Sequence, residues 1–249
     1  MTLADRIDIF STLDLVALGV LFVSWVAVTR VIEHPPAARP SVSQLMAAFR
    51  REWMVHFVTR QPRIFDSQIV SNLRQGTAFF ASASMIAIGG GFALIGNADL
   101  LGGVAEDLRL ATDPTFVWEV KVILMLVFAA NAFLKFVWAH RLFGYCAVLM
   151  AAVPNNPDDP DAYPRAAQAA EINITAARGY NRGLRSVYFG IAASAWLLGP
   201  LALLAATVAT LAVILRREFA SESRQVLLAR APRHATRKGD GHGAAGGAK

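Results

Sequence analysis

The sequence predicts an all-α fold: a four-span transmembrane helical bundle with cytosolic helix extensions and a disordered C-terminal tail. Three observations carry this reading. Hydrophobic residues make up 55% of the chain, mean hydropathy is +0.43, and the apolar residues are gathered into long blocks instead of being spread along amphipathic faces. The stretch RIFDSQIVSNLRQGTAFFASASMIAIGGGFALIG, residues 63–96, is polar in its first third and free of charge from Gly76 onward. It reads as one helix that starts in water and crosses the hydrocarbon core. Arginine is concentrated in two connecting segments while the one between them is acidic, the asymmetry that orients membrane proteins.

At the start of the chain Asp5, Asp8 and Asp14 outnumber Arg6. A secretory signal has a basic start and a small-residue cleavage site, so no cleavage is expected. The first span, about residues 13–32, holds Trp25 and is closed by Arg30. The Pro-rich HPPAARP then stops the helix.

Over residues 41–60, Val42, Leu45, Met46, Phe49, Trp53 and Phe57 recur at helical spacing while Arg50, Arg51, His56 and Arg60 point elsewhere. This amphipathic helix either lies in the headgroup layer or packs on the protein's own cytosolic face. Pro62 suits the first turn of the next helix, where a missing N–H costs nothing. That helix carries the second span, 76–96. Its residues Ala83, Ala87 and Gly91, four apart, form a helix-packing face of the kind that replaces hydrophobic driving force in lipid. The run Gly89 to Gly91 reads as close packing or as a hinge.

Residues 97–115 form an acidic loop with Asp99, Glu106, Asp107 and Asp113. The third span, about 116–137, continues as an apolar helix to Val153; at 1.5 Å per residue it is about 57 Å long and must leave the membrane or bend near Gly144. Asn131 and Lys135, one turn apart, are a candidate intramembrane polar pair, although Lys135 near the inner end can also snorkel to the interface. PNNPDDPDAYP, residues 154–164, is a turn-rich loop whose Asp158, Asp159 and Asp161 lack the further oxygen ligands a cation site needs. An Ala-rich helix follows, with Arg178, Arg182 and Arg185 on one face. Asn173 opens a glycosylation sequon that the cytosolic side makes inert. The fourth apolar block, 187–215, exceeds one crossing and falls short of two, so one tilted span kinked at Pro200 is expected. A short helix to about Ala231 and a disordered basic tail complete the chain within residues 218–249.

The positive-inside rule places both basic segments in the cytoplasm, and four spans then put both termini outside. The arginines that follow Leu215 conflict with that placement. Counting residues down each helix sets Asp66, Arg178 and Arg182 at similar depth with Arg141 within side-chain reach, and with Arg185 they form a candidate polar cluster at the cytosolic helix ends. Asp66 is expected to pair with Arg182 or Arg141. The alternative is a local helix cap near Pro62.

The segments RIFDSQIVSNLRQGTAFFASASMIAIGG, FVWAHRLFGY and GLRSVYFGIAASAWLLGP resemble the three that mark the family catalogued as domain of unknown function 599, over roughly residues 10–217. The resemblance implies four membrane spans and no established biochemical activity. The Arg and Ala bias resembles a bacterial member from a GC-rich genome, which implies the inner membrane.

Net charge is +6 and the pI is about 10.0, yet the arginines flank apolar blocks, so they serve orientation and anionic headgroups and not nucleic acid. Cys146 is the only cysteine and the five histidines have no ligand spacing, so neither a disulfide nor a metal is expected, and no cofactor is implied. Three function classes remain. The first is a non-enzymatic accessory protein that binds anionic lipid, other membrane proteins or itself. The second is a small transporter or channel using polar residues of the second and third spans. The third, a lipid-modifying enzyme, lacks a visible nucleophile–base or paired-carboxylate arrangement.

Overall fold

The computed structural model describes residues 10–97, 103 and 114–229. The acidic loop expected at 97–115 and the tail expected to be disordered fall largely outside these residues. All regular structure among the described residues is helical: α1 Thr12–Glu33, α2 Val42–Thr59, α3 Ile64–Ile95, α4 Thr115–Ala151, α5 Ala162–Ser194, a 3₁₀ turn Ala195–Leu198, α6 Pro200–Phe219 and α7 Glu222–Leu228. Four helical stretches are long and apolar enough to cross a membrane, namely α1, α3, α4 and Pro200–Leu228.

α1 starts at a capping box in which Asp14 N donates to Ser11 Oγ (3.2 Å) and Ser11 N to Asp14 Oδ2 (3.1 Å), so two otherwise unsatisfied donors are paired. α3 is continuous for 32 residues, spanning the change from polar to apolar sequence at Gly76. Pro62 does not open it: Arg63 is the N-cap. Arg63 instead ties the α2–α3 corner to the α4–α5 loop, donating to Val153 O (2.9 Å), Pro154 O (2.9 Å) and Val58 O (3.1 Å).

α4 runs unbroken through Gly144 for 37 residues, about 55 Å. α5 lies antiparallel along its whole length. Gly190 faces Phe128, Gly183 faces Phe136 and Gly179 faces Ala139. Asn131 Nδ2 donates to Ser186 Oγ at 2.6 Å, and Asn173 Nδ2 reaches Cys146 Sγ at 3.4 Å. Gly179, Gly183, Ser186 and Gly190, three or four apart, are therefore the small-residue face on which the central hairpin closes.

This corrects the packing face expected on α3. Ala83 and Ala87 are exposed, and the inward row is Thr77, Ser84 and Gly91, with Gly91 against Leu126. A heptad step keeps these three on one side of the helix, whereas Ala83 is rotated about 100° and Ala87 about 50° from that row. Gly89 and Gly90 also face outward with nothing beside them, and the helix is unbroken there.

The fourth apolar block is not one kinked helix. α5 ends at Ser194, the 3₁₀ turn follows, and Gly199 at φ 111° and ψ 170° reverses the chain before Pro200 opens α6. Glycine is needed because an L side chain is strained at that φ, and proline at the first helical position loses no bond. The turn lies beside the start of α1, where Trp196 Nε1 donates to Asp14 Oδ1 at 2.7 Å and Phe10 meets the Trp196 ring. At the other end α6 finishes near the α1–α2 link: Ser43 Oγ donates to Glu218 Oε1 (3.0 Å), and Arg224 Nε to Pro40 O (3.0 Å). α1 and α6 thus run in the same direction, with α5 antiparallel beside them.

Two cores result. At the Trp196 end, Leu21, Phe128, Phe189, Trp196 and Leu203 pack together. At the basic end, α2 buries Met54, Phe57 and Val58 on Cys146, Met150, Ala166 and Ala169 of the α4 and α5 extensions. Its C-terminal half is therefore packed on the protein itself, while Met46 and Phe49 remain exposed.

Candidate functional site

The site begins with where the arginines of the basic end find partners. Glu33, in the last turn of α1, is the only carboxylate between Asp14 and Glu52. It takes two of the three arginines of the shared α5 face, Arg182 and Arg185. Arg182 binds it bidentately, through Nε to Oε1 at 2.8 Å and through Nη2 to Oε2. Arg185 Nη2 donates to Oε1 at 2.7 Å and Arg185 Nε to Thr29 Oγ1 at 3.2 Å. The Arg185 and Glu33 side chains are 5% and 8% exposed, a buried pair to which Thr29 adds a further acceptor.

The pairing expected for Asp66 is therefore not the one present. Asp66 is fully buried and accepts from Trp53 Nε1 at 2.6 Å and from Arg60 Nη1, both on the α2 side of the corner. Arg141 is turned to Tyr145 on its own helix, one turn away. Nor are Asp66 and Arg182 at the similar depth that the residue count implied: Gly183 beside Phe136 and the Phe80–Phe136 stack set Arg182 near the level of Phe80, about 21 Å along α3 from Asp66. The α2–α3 corner brings Arg60 to Asp66 before any α5 arginine can reach it.

Between α1, α2, α3, α5 and α6 lies a cavity of about 500 Å³. Four guanidiniums line it, those of Arg50, Arg178, Arg185 and Arg217, against the carboxylates of Glu33 and Glu218. Both carboxylates are engaged, Glu33 as described and Glu218 in capping the N-terminus of α2 through Ser43 N at 3.1 Å. Among the described residues, no carboxylate lies within ion-pair distance of Arg50, Arg178 or Arg217. Arg50 donates to the amide oxygen of Asn173, and Arg217 Nη1 to Tyr188 Oη at 2.8 Å. Burial lowers the pKa of Arg50 from its ordinary value, because a desolvated guanidinium has no carboxylate to offset the loss of water. The wall also carries Asn72, Tyr180, Asn181 and, at the polar-to-apolar boundary of α3, Gly76.

A second cavity of about 450 Å³ lies on the other side of Glu33, between α1, α4 and α5, and it brings together Asn131 and Lys135 with Thr29, Arg182 and Ser186. The sequence-predicted residues thus divide. Arg178 and Arg185 line the first cavity, Arg182 joins Asn131 and Lys135 in the second, and Asp66 and Arg141 line neither. Glu33, Arg50 and Arg217 were missed. The signal for Glu33 was its isolation, a single acid at the end of a span and flanked by basic segments. Asp158 and Asp161 are absorbed in loop turns, Asp158 N donating to Asn156 Oδ1 (3.1 Å) and Asp161 N to Asp159 Oδ1 (2.9 Å), and Asp161 also pairs with Arg165.

No curated protein and no solved structure matches this chain. Four membrane-compatible helices and this arrangement describe a multi-pass membrane protein of unknown activity. Residues 16–223 match the model of the family described as "Protein of unknown function, DUF599", and the chain belongs to that family.

Proposed function

We propose that the protein is a non-enzymatic interaction protein of a bacterial inner membrane, and that its arginine-lined cavity holds the anionic headgroup of a cytoplasmic-leaflet lipid. One observation carries this: three guanidiniums without a carboxylate partner, Arg50, Arg178 and Arg217, face one space. Arg50 is half-buried and Arg178 and Arg217 are exposed; a partly desolvated guanidinium gains from an anion, and guanidinium matches phosphate oxygens bidentately. The positive-inside rule supports assigning this end to the cytoplasm. Gly76, where the α3 sequence turns apolar, lines the cavity, so its depth suits a headgroup. The unbroken α3 through Gly89 to Gly91 removes the unwound segment that would have favoured a transporter.

The test is native mass spectrometry of the detergent-solubilised protein with phosphatidylglycerol or phosphatidylcholine. Retention of phosphatidylglycerol is expected, and a combined Arg50→Gln, Arg178→Gln, Arg217→Gln variant should lose it. Equal retention of both lipids, or retention by the triple variant, defeats the proposal.

A further inference from the structure

The second cavity supports an inference independent of what fills the first. α3 and α4 are level at Thr77 and His140, where Thr77 Oγ1 lies 3.4 Å from His140 Nδ1, and at the stacked rings of Phe80 and Phe136. Gly76, the start of the uncharged stretch, therefore marks the membrane edge near His140. Lys135 is five residues and Asn131 nine residues beyond that edge, about 8 and 14 Å into the apolar layer. Away from the basic end the cavity that holds them is lined by Trp25, whose ring contacts those of Phe22 and Phe128. Toward the basic end it reaches Glu33, Arg30 and His34.

Its chemistry is one-sided. The Thr29 hydroxyl donates to Trp25 O (2.9 Å), the Ser186 hydroxyl to Arg182 O (3.2 Å), and both Glu33 oxygens are held by arginines. What faces the space unused is mostly donor: the Lys135 ammonium, the Arg30 guanidinium and the second amide N–H of Asn131. Among the described residues, no carboxylate lies within ion-pair distance of Lys135 or Arg30. An ammonium at this depth needs a counter-charge. Glu33 is already committed to two guanidiniums.

We infer that this cavity is a second anion site, in which Lys135, with Asn131 and Arg30, binds the oxyanion of an amphiphile that enters sideways from the bilayer. The lateral route follows from the packing: α1 packs on α5 and α6 more than on α4, and Val26, 51% exposed, lines the cavity at its outer rim. A headgroup phosphate meets Lys135 while its acyl chains leave past Val26. A free phosphate from the cytoplasm offers the same oxyanion without chains, and the experiment separates the two.

The full-length protein is placed in nanodiscs containing phosphatidylglycerol with a photoreactive acyl chain, irradiated, and mapped by peptide mass spectrometry. Adducts are expected on α1 around Trp25 and Val26. Lys135→Met should reduce them roughly tenfold, the loss of one charge-assisted contact, and Lys135→Gln should do the same, so that the result does not depend on one variant folding. Lys135→Arg should retain them, and so should Arg50→Gln, whose side chain lines only the first cavity. The inference is overturned by adducts that persist in both neutral variants, by equal labelling from a phosphatidylcholine analogue, or by loss of the adducts to excess inorganic phosphate, which would assign the site to a soluble anion.

Discussion

Glu33 on α1 accepts from Arg185 on α5 at 2.7 Å, across 152 residues of sequence. The two are almost fully enclosed, whereas the Arg182 side chain that shares the carboxylate is 42% exposed. Removing one partner of an enclosed pair costs up to about 3–5 kcal/mol, against about 0–1 kcal/mol for an exposed one, and the Arg182 contacts that remain on Glu33 keep the loss below that ceiling. Arg185→Gln should therefore lower the melting temperature in detergent well below that of Arg182→Gln. Equal damage from the two would mean that burial does not govern this cluster.

Asp66 leads to a different test. Asp66→Ala should cost about 1.5–3 kcal/mol, since it strands the Trp53 indole and the Arg60 guanidinium. In Asp66→Arg, a second change Arg60→Asp should recover part of the stability, and Arg182→Asp or Arg141→Asp should recover none. Rescue by either of the latter, seen in chemical denaturation, would contradict the corner geometry.

Small residues make a paired prediction. A Cβ added at Gly183 would lie 2.7 Å from the Phe136 ring, so Gly183→Ala should destabilise by about 1–3 kcal/mol through overpacking. Ala87→Leu, on an exposed position of α3, should leave thermal stability unchanged. The reverse order would place the tight contact on α3.

Much of the fold was legible, and the misses have physical causes. α3 could be read because its charge stops abruptly at Gly76, and α1 because a single apolar block of span length is closed by Arg30 and a Pro-rich stop. The reversal at Gly199 could not be read from length, since 187–215 is too short for two full crossings. The missing length is supplied by α5 residues before Val187, whose polar character hides them. Their polar side chains face partners, Arg182 and Arg185 on Glu33 and Ser186 on Asn131, so they need no lipid-compatible composition. For the site, the shared face of Arg178, Arg182 and Arg185 follows from helical period. That Arg182 and Arg185 share Glu33 does not, because period says nothing about a residue 149 or 152 positions away.

Topology is testable on the same basis. Trp196 beside Asp14 and Glu218 beside Ser43 set the two ends of α6 at opposite ends of the bundle, which removes the conflict between the arginines after Leu215 and the positive-inside rule. In a Cys146→Ala background, single cysteines at Thr115 and Leu198 should react with an impermeant thiol reagent on intact cells, and those at Ser43 and Gln225 should react only after lysis. Labelling of Gln225 on intact cells would put the end of α6 outside.

The pairing of Glu33 with α5 also sets an order of events during synthesis. At about 5–20 residues per second, the 152 residues that separate Glu33 from Arg185 take roughly 8–30 s to make. Throughout that interval Glu33 lacks both of the guanidiniums that enclose it in the folded chain. The first helix can be drawn fully into the bundle only when α5 arrives, so the protein's earliest segment is among the last to be locked.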